Sequence, residues 1–455
     1  MTLSDYLHSL RGKRVDVLGI GISNRPLIRL LLKSGIRVVA RDKTPREKLG
    51  ETADEFEKSG AKLVLGENYL KGIDGDVIFR SPGIRPDLPE IVSAVQNGSV
   101  LTSEMEAFFE VCPCDIIAIT GSDGKTTTTT VTSEILKRDG KRVWVGGNIG
   151  TPLLDKAEEM SADDICVLEL SSFQLMTLNK SPKIAVITNV APNHLDVHKG
   201  MEEYVWAKKN IFDRALQPEK VVLNADNDIT ADFAKDAGHP VMFSRRGRVS
   251  EGVYLESDDI CASFGGTTER IMSADAIFLP GVHNIENYMA AFAATWGIAS
   301  KAAMVETARS FKGVEHRIEF VRELNGVKFY NDSIASSPSR TTAGLRSFKQ
   351  KVILMAGGKD KGVPFDSLGA EIAEHVKTLV VTGWTAEKIT EAAKNSGFTG
   401  EIIHEDDFCD AVRACYKAAE SGDIVLMSPA CTSFDRFKNF EERGKLFKKT
   451  VMELK

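Results

Sequence analysis

The sequence predicts an α/β protein made of three successive series, each a largely parallel sheet covered by helices. Three observations carry this. Short apolar runs alternate with amphipathic segments along nearly the whole chain, the pattern of linked βαβ units. The alternation restarts near residues 107 and 313, which divides the chain into 1–107, 108–312 and 313–455. The 455 residues are 42% apolar, more core than one domain of the usual ~150 residues takes up.

In the first series "RVDVLGI" (14–20) reads as a strand, "RPLIRLLLKSG" (25–35) as a helix and "IRVVARD" (36–42) as a second strand. A turn at Pro45, a charged helix, "AKLVLG" and "DVIFRSPG" (76–83) follow. The second series opens with "DIIAITGSDGK" (115–125) and has strands at "DICVLEL" (164–170), "KIAVITNV" (183–190) and "KVVLNAD" (220–226). Short β signals cover roughly 240–280, then two helical stretches, "ENYMAAFAATWGIA" and "AAMVETARSF". The third opens with a hairpin, "HRIEFVRELNGVKFYND" (316–332), whose Asn325-Gly326 is a type I′ turn signal. Further strands are "KVILMAGG", "TLVVTGW" and "DIVLMSPA".

A net charge of −6 and a pI near 5.9 argue against a general nucleic-acid or membrane-surface binder. Anionic ligands must then be held by local lysines, arginines and backbone amides. Seven cysteines in this length, an odd count, form no disulfide framework. Cys112 and Cys114 lack the C-x-x-C spacing of a metal or redox motif, so the plainer expectation is packed thiols in a reducing cytosol. No apolar signal core or long apolar run is present, and the expectation is a soluble cytoplasmic protein with no membrane partner.

The stretch "ITGSDGKTTTTT" (119–130) follows a strand and opens a helix. Helix N-terminal amides plus Lys125 suit a polyphosphate, and Thr126 suits Mg²⁺. The common phosphate loop needs a glycine where Ile119 stands, so this loop is shorter than a Walker-type one. "GIGISN" (19–24) offers Gly19 and Gly21 but Asn24 at the third glycine position, and Asp42 ends the next strand at about the spacing of a ribose-binding acid. A plain strand-to-helix turn explains these residues about as well.

"LELSSFQL" (168–175) ends an apolar strand on Glu169, a costly place for a carboxylate without a partner or metal. "TNVAPNHLDVH" (188–198) ends another with His194 and Asp196. With Lys125 at the carboxyl end of the same sheet, where ligands bind such sheets, these residues make a Mg²⁺–nucleotide site. By itself Lys208, in "YVWAKKN", is a solvated lysine. Asn284 and Asn287 fall on one helix face, as helix-start caps or amide contacts to a base. In the last series Arg317, Asp332, the lysines of "GGKDKG" (357–362), and Thr432 and Ser433 at the expected start of the C-terminal helix are caps, surface charges or anion contacts.

Taken together and in order, Gly121-x-x-Gly124-Lys125-Thr126-Thr127, "GGNIG" (146–150), "LELSSFQL", "NHLD", "GVHNIEN", "HRIE", "NDS" and "SPACTSFDRFKNFEERG" resemble the Mur ligase family across nearly the whole chain. The resemblance implies an N-terminal Rossmann-like domain for a UDP group, a central P-loop-type ATPase domain and a C-terminal Rossmann-like domain that binds an amino acid. It implies an ATP-dependent ligase that adds D-glutamate to UDP-N-acetylmuramoyl-L-alanine through an acyl phosphate. Phosphorylation gives a poor electrophile, the carboxylate, a good leaving group, and that step needs charge neutralisation above all.

The resemblance carries over residue by residue. Gly121, Ser122, Asp123, Gly124, Lys125, Thr126 and Thr127 would hold the ATP phosphates. Asn284, Asn287, Arg317 and Asp332 would contact the nucleotide. Thr126 and Glu169 would ligate Mg²⁺ and His194 a second Mg²⁺; Lys208 matches the family's carbamylated (N6-carboxylated) lysine, a carboxylate-like metal ligand. Ser23, Asp42, Ser81 and Gly83 would lie near the UDP; Asn148, Ser171 and His194 near the muramoyl-alanine. Lys361, Ser433 and Phe440 would contact D-glutamate. One departure stands out. The family commonly reads N-D-S-K-A-T-N where this chain has "NDSIASS" (331–337), so Ile334 replaces a lysine and Lys359 is a candidate to supply the missing charge. A monomer is expected.

Three other readings compete. A folylpolyglutamate synthase shares the ATPase plan but lacks the N-terminal Rossmann-like domain. An NAD-dependent oxidoreductase rests on "GIGISN" and Asp42 and leaves the Lys-Thr loop unexplained. A nucleotide switch explains that loop but not the C-terminal motif.

Overall fold

In the computed structural model, residues 1–195, 197–214 and 216–455 are described; Asp196, singled out beside His194, lies outside them. The chain forms two compact units. One comprises Met1–Asp275 with Glu286–Thr307, the other Ala276–Ile285 with Ala308–Lys455.

The first unit holds two sheets. Strands β1 (Arg14–Leu18), β2 (Arg37–Asp42), β3 (Lys62–Leu65), β4 (Val77–Arg80) and β5 (Val100–Thr102) pair in the order β3-β2-β1-β4-β5, all parallel. The larger sheet is built from β6 (Asp115–Thr120), β7 (Val143–Gly147), β8 (Ile165–Glu169), β9 (Ile184–Ile187), β10 (Lys220–Asn224), β11 (Pro240–Ser244), β12 (Gly252–Glu256), β13 (Asp259–Phe264) and β14 (Thr267–Ser273). Its order is β14-β13-β12-β11-β10-β9-β6-β8-β7. β13 and β14 are antiparallel at its edge. The central strands are buried on nearly every residue, which is why they read as unbroken apolar runs rather than alternating ones.

The helix Glu104–Val111 joins the two sheets. Of its eight residues only Glu110 is not buried, and Phe108, Phe109 and Val111 belong to one continuous core with Val15, Val17, Ile116 and Leu168. A buried helix at this join explains why the sequence has no exposed linker there. Two acids on it, Glu104 and Glu106, are each raised to about 7, mainly by burial.

The second unit holds β15 (Glu319–Leu324), β16 (Val327–Asn331), β17 (Val352–Gly357), β18 (Val376–Thr382), β19 (Glu401–His404) and β20 (Ile424–Met427), ordered β15-β16-β20-β17-β18-β19. The antiparallel β15–β16 hairpin forms as predicted. Asn325 and Gly326 have φ of 52° and 80°, the left-handed pair a type I′ turn requires. The C-terminal helix begins later than expected. It spans Phe440–Glu453 with Asn439 as its cap, whose side chain accepts from the Glu442 amide. Thr432 instead exchanges two backbone hydrogen bonds with Lys359, which keeps this segment extended, so neither Thr432 nor Ser433 caps the helix.

Candidate functional site

In the larger sheet β6 lies between β8 and β9, so the chain leaves β6 at the point where strand order reverses, the usual place for a ligand crevice. The segment 121–124 leaves that end and the helix Lys125–Arg138 follows. Gly124 is left-handed at φ 79°, and a Cβ there would collide with the Asn287 amide. A Cβ on Gly121 would strike Thr188. Both glycines are therefore demanded by close approach as well as by backbone angle. The loop is tied to residues 188–191. Ser122 N donates to Asn189 O at 2.9 Å, Asp123 N to Asn189 Oδ1 at 3.0 Å, and Thr188 Oγ1 to Asp123 O at 2.6 Å. The Ser122 hydroxyl bonds to Ala191 O and lies 3.0 Å from Tyr204 Oη.

Lys125 curls over its own loop, its Nζ donating to Gly121 O and Ser122 O at 2.9 Å each. Thr126 Oγ1 donates to Glu169 Oε2 at 2.7 Å, and Asn148 Nδ2 to Glu169 Oε1 at 2.8 Å. Asn148 thus holds the carboxylate that the sequence singled out. Thr127, Thr128 and Thr129 are buried on the helix, and Thr128 Oγ1 donates to Asn287 Oδ1 at 3.3 Å. Thr127 to Thr129 are thus packing positions, while Thr126 and Thr130 are only partly buried.

Lys208 is not the solvated lysine its local sequence indicates. It is buried, on the helix Met201–Lys209. Its Nζ donates to Gly121 O at 2.6 Å and lies 4.7 Å from the centre of the Tyr204 ring. Burial lowers its pKa well below the usual lysine range, the nearby Lys125 charge lowers it further, and Asp123 and Glu169 oppose the shift.

His194 does not end a strand. β9 stops at Ile187, and His194 sits on the following loop, exposed, with φ 54°. Its ring meets Phe173 edge-on at 5.5 Å. The sequence reading passed over His198, which is buried. His198 stacks on Phe173 at 4.8 Å, with Nε2 2.9 Å from Ser172 Oγ and Nδ1 3.2 Å from Glu203. Burial lowers the pKa of His198. Arg85 donates to both Glu203 oxygens, at 2.7 and 3.0 Å, and holds that carboxyl down to about 2. These contacts anchor the helix that carries Lys208 to the loop after β4. The buried Arg80 adds bonds to Phe173 O and Thr177 Oγ1.

In the five-stranded sheet β1 lies between β2 and β4, again a reversal point. Gly19 has φ 90°, and a Cβ there would meet the Cβ of Ser81 at 2.8 Å. Asp42 accepts from Ile20 N at 2.5 Å and Thr44 N at 2.7 Å. Asn24, where a third glycine was missing, is buried and donates to Leu18 O and Gly19 O at 3.1 and 2.9 Å. An amide side chain therefore closes this turn. Ser23 precedes the helix Asn24–Lys33 without capping it, and Gly83 is exposed. Ser171 caps the short helix Ser172–Leu175 in a capping box with Gln174.

In the second unit, Asn284 Nδ2 reaches back to Pro280 O at 2.6 Å, tying the start of its helix. Asp332 is buried and accepts from Ser428 Oγ at 2.7 Å. Burial raises its pKa to about 7, opposed by the bonds from Ser428 and Ile318 N and by the charges of Arg317 and Arg340. Lys361 is exposed, with Nζ 3.4 Å from Ser336 Oγ. Ser433 is buried. Phe440 meets the His316 ring edge-on, and its carbonyl accepts from Ser333 Oγ at 2.7 Å. Lys359 lies over the Trp384 ring at 5.7 Å, and Ile334 N bonds to His316 O.

The sequence reading did not single out Arg443. It is buried and donates to Ser333 Oγ, Ser333 O and Cys431 O at 3.0, 2.8 and 3.1 Å. One guanidinium so joins the "NDS" turn, the loop after β20 and the C-terminal helix. The only signal for it is the arginine inside "NFEERG".

A glycine-rich strand-end loop followed by a lysine, a threonine–carboxylate pair beside it and two further α/β sheets fit a nucleotide-dependent enzyme of the Mur ligase class. Residues 119–295 match the model of the Mur ligase middle domain, and 316–431 that of the Mur ligase glutamate ligase domain. The chain belongs to this family. It is 52% identical, over 100% of its length and 99% of the relative's, to the UDP-N-acetylmuramoylalanine–D-glutamate ligase of Ruminiclostridium cellulolyticum. It is also 52% identical, over 99% of its length and 98% of the relative's, to the ligase of that name in Acetivibrio thermocellus. The UDP-N-acetylmuramate-alanine ligase of Thermotoga maritima shares the fold, with a TM-score of 0.60 at 19% identity over 97% of this chain and 100% of that one.

Proposed function

We propose that this chain is an ATP-dependent amide ligase that joins D-glutamate to the alanyl carboxylate of UDP-N-acetylmuramoyl-L-alanine in cytoplasmic peptidoglycan precursor synthesis. The observation that carries the reading is its 52% identity over the full length to ligases of that name. The phosphate loop and the carboxylate beside it are suited to the first half-reaction.

In that half-reaction a carboxylate oxygen of the alanyl group bonds to the γ-phosphorus of ATP as the bond to the β-phosphate oxygen breaks, and ADP leaves. The D-glutamate amine then bonds to the acyl carbon, the carbon–oxygen bond to phosphate breaks, and inorganic phosphate leaves with the amine proton passing to solvent. Loop amides at the start of the Lys125–Arg138 helix and Lys125 are suited to stabilise the charge that moves in the first step. Lys125 would exchange its two loop carbonyls for phosphate oxygens. Asp42 and the turns at Ser23 and Ser81 to Gly83 would receive the UDP. Lys361, Ser433 and Phe440 would receive D-glutamate.

The residues present fit Mg²⁺. Thr126 and Glu169 are hard oxygen donors 2.7 Å apart. They complete no all-protein cage, in keeping with an ion that retains waters and phosphate ligands. Thr126 and Glu169 would hold one ion, and His194 with a carbamylated Lys208 a second. Bound there, Mg²⁺ supplies charge neutralisation across the phosphates. Carbamylation bonds CO₂ carbon to a neutral amine with loss of a proton, and burial of Lys208 favours that neutral amine. The residues then work as a monomer in three parts, 1–107, 108–312 and 313–455.

The test is an assay of ADP and phosphate release. Turnover is expected only when UDP-N-acetylmuramoyl-L-alanine and D-glutamate are both present. Equal turnover with L-glutamate or with a pteroyl substrate overturns the reading.

A further inference from the structure

Cys112 and Cys114 were unremarkable in sequence, but a third thiol joins them in space. Cys112 ends the helix Glu104–Val111, Cys114 directly precedes β6, and Cys166 is the second residue of β8. The three Sγ atoms are 3.4, 3.6 and 3.6 Å apart. Among the described residues this is the one group of three or more His, Cys, Asp or Glu ligand atoms lying mutually within 4.8 Å. Cys114 and Cys166 are buried and Cys112 is half-buried, so the group has a route to solvent.

We propose that Cys112, Cys114 and Cys166 form a binding site for a soft d¹⁰ cation of the Zn²⁺ and Cd²⁺ type. With metal–sulfur bonds of about 2.3 Å, an ion about 1.1 Å above the centre of this triangle touches all three sulfurs at S–metal–S angles of about 100°, near tetrahedral. The fourth position falls to solvent on the Cys112 side or to the Met160 thioether, whose sulfur is 3.8 Å from Cys166 Sγ. The carboxylates of Asp115 and Asp164 add negative field at the group. Each is partly offset, Asp115 by Lys183 at 2.7 Å and Asp164 by Arg142 at 3.7 Å. Binding exchanges three thiol protons for the metal.

The site is structural. It lies at the amino ends of β6 and β8, whereas the phosphate loop leaves the carboxyl end of β6, a strand's length or about 20 Å away. It clamps the end of the helix that joins the two sheets of the first unit onto the larger sheet. A ligand that binds only the folded state raises stability with its concentration.

The experiment uses the full chain, reduced and stripped of metal, titrated with Zn²⁺ against a chromophoric chelator and with Cd²⁺ while the thiolate-to-metal ultraviolet band is followed. One equivalent is expected to bind, with the band and proton release. Tm should rise by about 5 °C at a hundredfold excess over Kd. Cys112→Ser and Cys114→Ala should each lose the band and the shift while their metal-free Tm stays near that of the parent. Cys409→Ala, outside the group, should keep both. Binding unchanged in Cys112→Ser, or no band in the parent, overturns the proposal. So does a Cys112–Cys114 disulfide that forms in air while the reduced chain takes up no metal, an outcome that would make the group a redox pair.

Discussion

The hydroxyl of Thr126 donates to one oxygen of Glu169 at 2.7 Å, and Asn148 binds the other at 2.8 Å. The second residue of the Lys125–Arg138 helix and the last residue of β8 are thereby joined at the reversal point of the larger sheet. Removing the carboxylate removes a charge from the proposed Mg²⁺ site. Glu169→Gln should lower kcat by about 10²-fold or more and shift the Mg²⁺ dependence to higher concentration. Steady-state rates across a Mg²⁺ titration check this, and an unaltered Mg²⁺ profile would count against a metal role.

Gly124 is left-handed and faces the Asn287 amide at contact distance. Gly124→Ala should destabilise the first unit by about 1–2 kcal/mol through backbone strain alone, and further through the clash. Because part of the penalty is the clash, it should shrink in an Asn287→Ala background. A double-mutant cycle on denaturation midpoints measures the difference, and strict additivity would show that the contact carries no cost.

Asp332 ionises at about 7 in the folded chain and near 3.8 when exposed. Between these values the folded state binds the proton and the unfolded state does not, so the contribution of this group to stability falls as pH rises from about 4 to about 7. Asp332→Asn removes that dependence. The parent should lose up to about 4 kcal/mol relative to the variant over this window. Urea midpoints of both proteins from pH 4 to 8 test it, and parallel profiles would refute it.

Arg443 holds three acceptors in one buried fork. Arg443→Lys keeps the charge but loses the planar set of donors. It should cost about 1–3 kcal/mol by leaving carbonyls unpaired and should raise the KM for D-glutamate. Melting curves and substrate titrations read the two effects separately.

Asn24 stands where a dinucleotide fingerprint has glycine. If that position wanted glycine, Asn24→Gly would be neutral or stabilising. The two hydrogen bonds to Leu18 O and Gly19 O predict a loss of about 1–2 kcal/mol instead, measurable as a lowered denaturation midpoint.

Much was legible from residue order. The apolar runs of β6, β8, β9 and β10 announced themselves because strands buried on both faces carry no polar alternation. Asn325-Gly326 named its turn, because few other residues accept two left-handed angles in succession. The strand β7 was harder, since its half-buried "VWVGG" carries two glycines. The C-terminal helix was placed too early. The bridge between Lys359 and Thr432, which delays it, is a contact between residues far apart in the chain, invisible to local pattern.

The sequence by itself determined the α/β class, the strand–loop–helix order around Gly121 to Thr127 and the family, because these depend on local periodicity and on motif order. Only the tertiary structure decided the environments. Lys208 became a buried amine, His198 was packed between Phe173, Ser172 and Glu203, Asn148 took hold of Glu169, Arg443 tied three segments together, and three scattered cysteines met. Burial and partner choice are set by residues brought together from distant segments, and desolvation and close contact then change what each side chain can do.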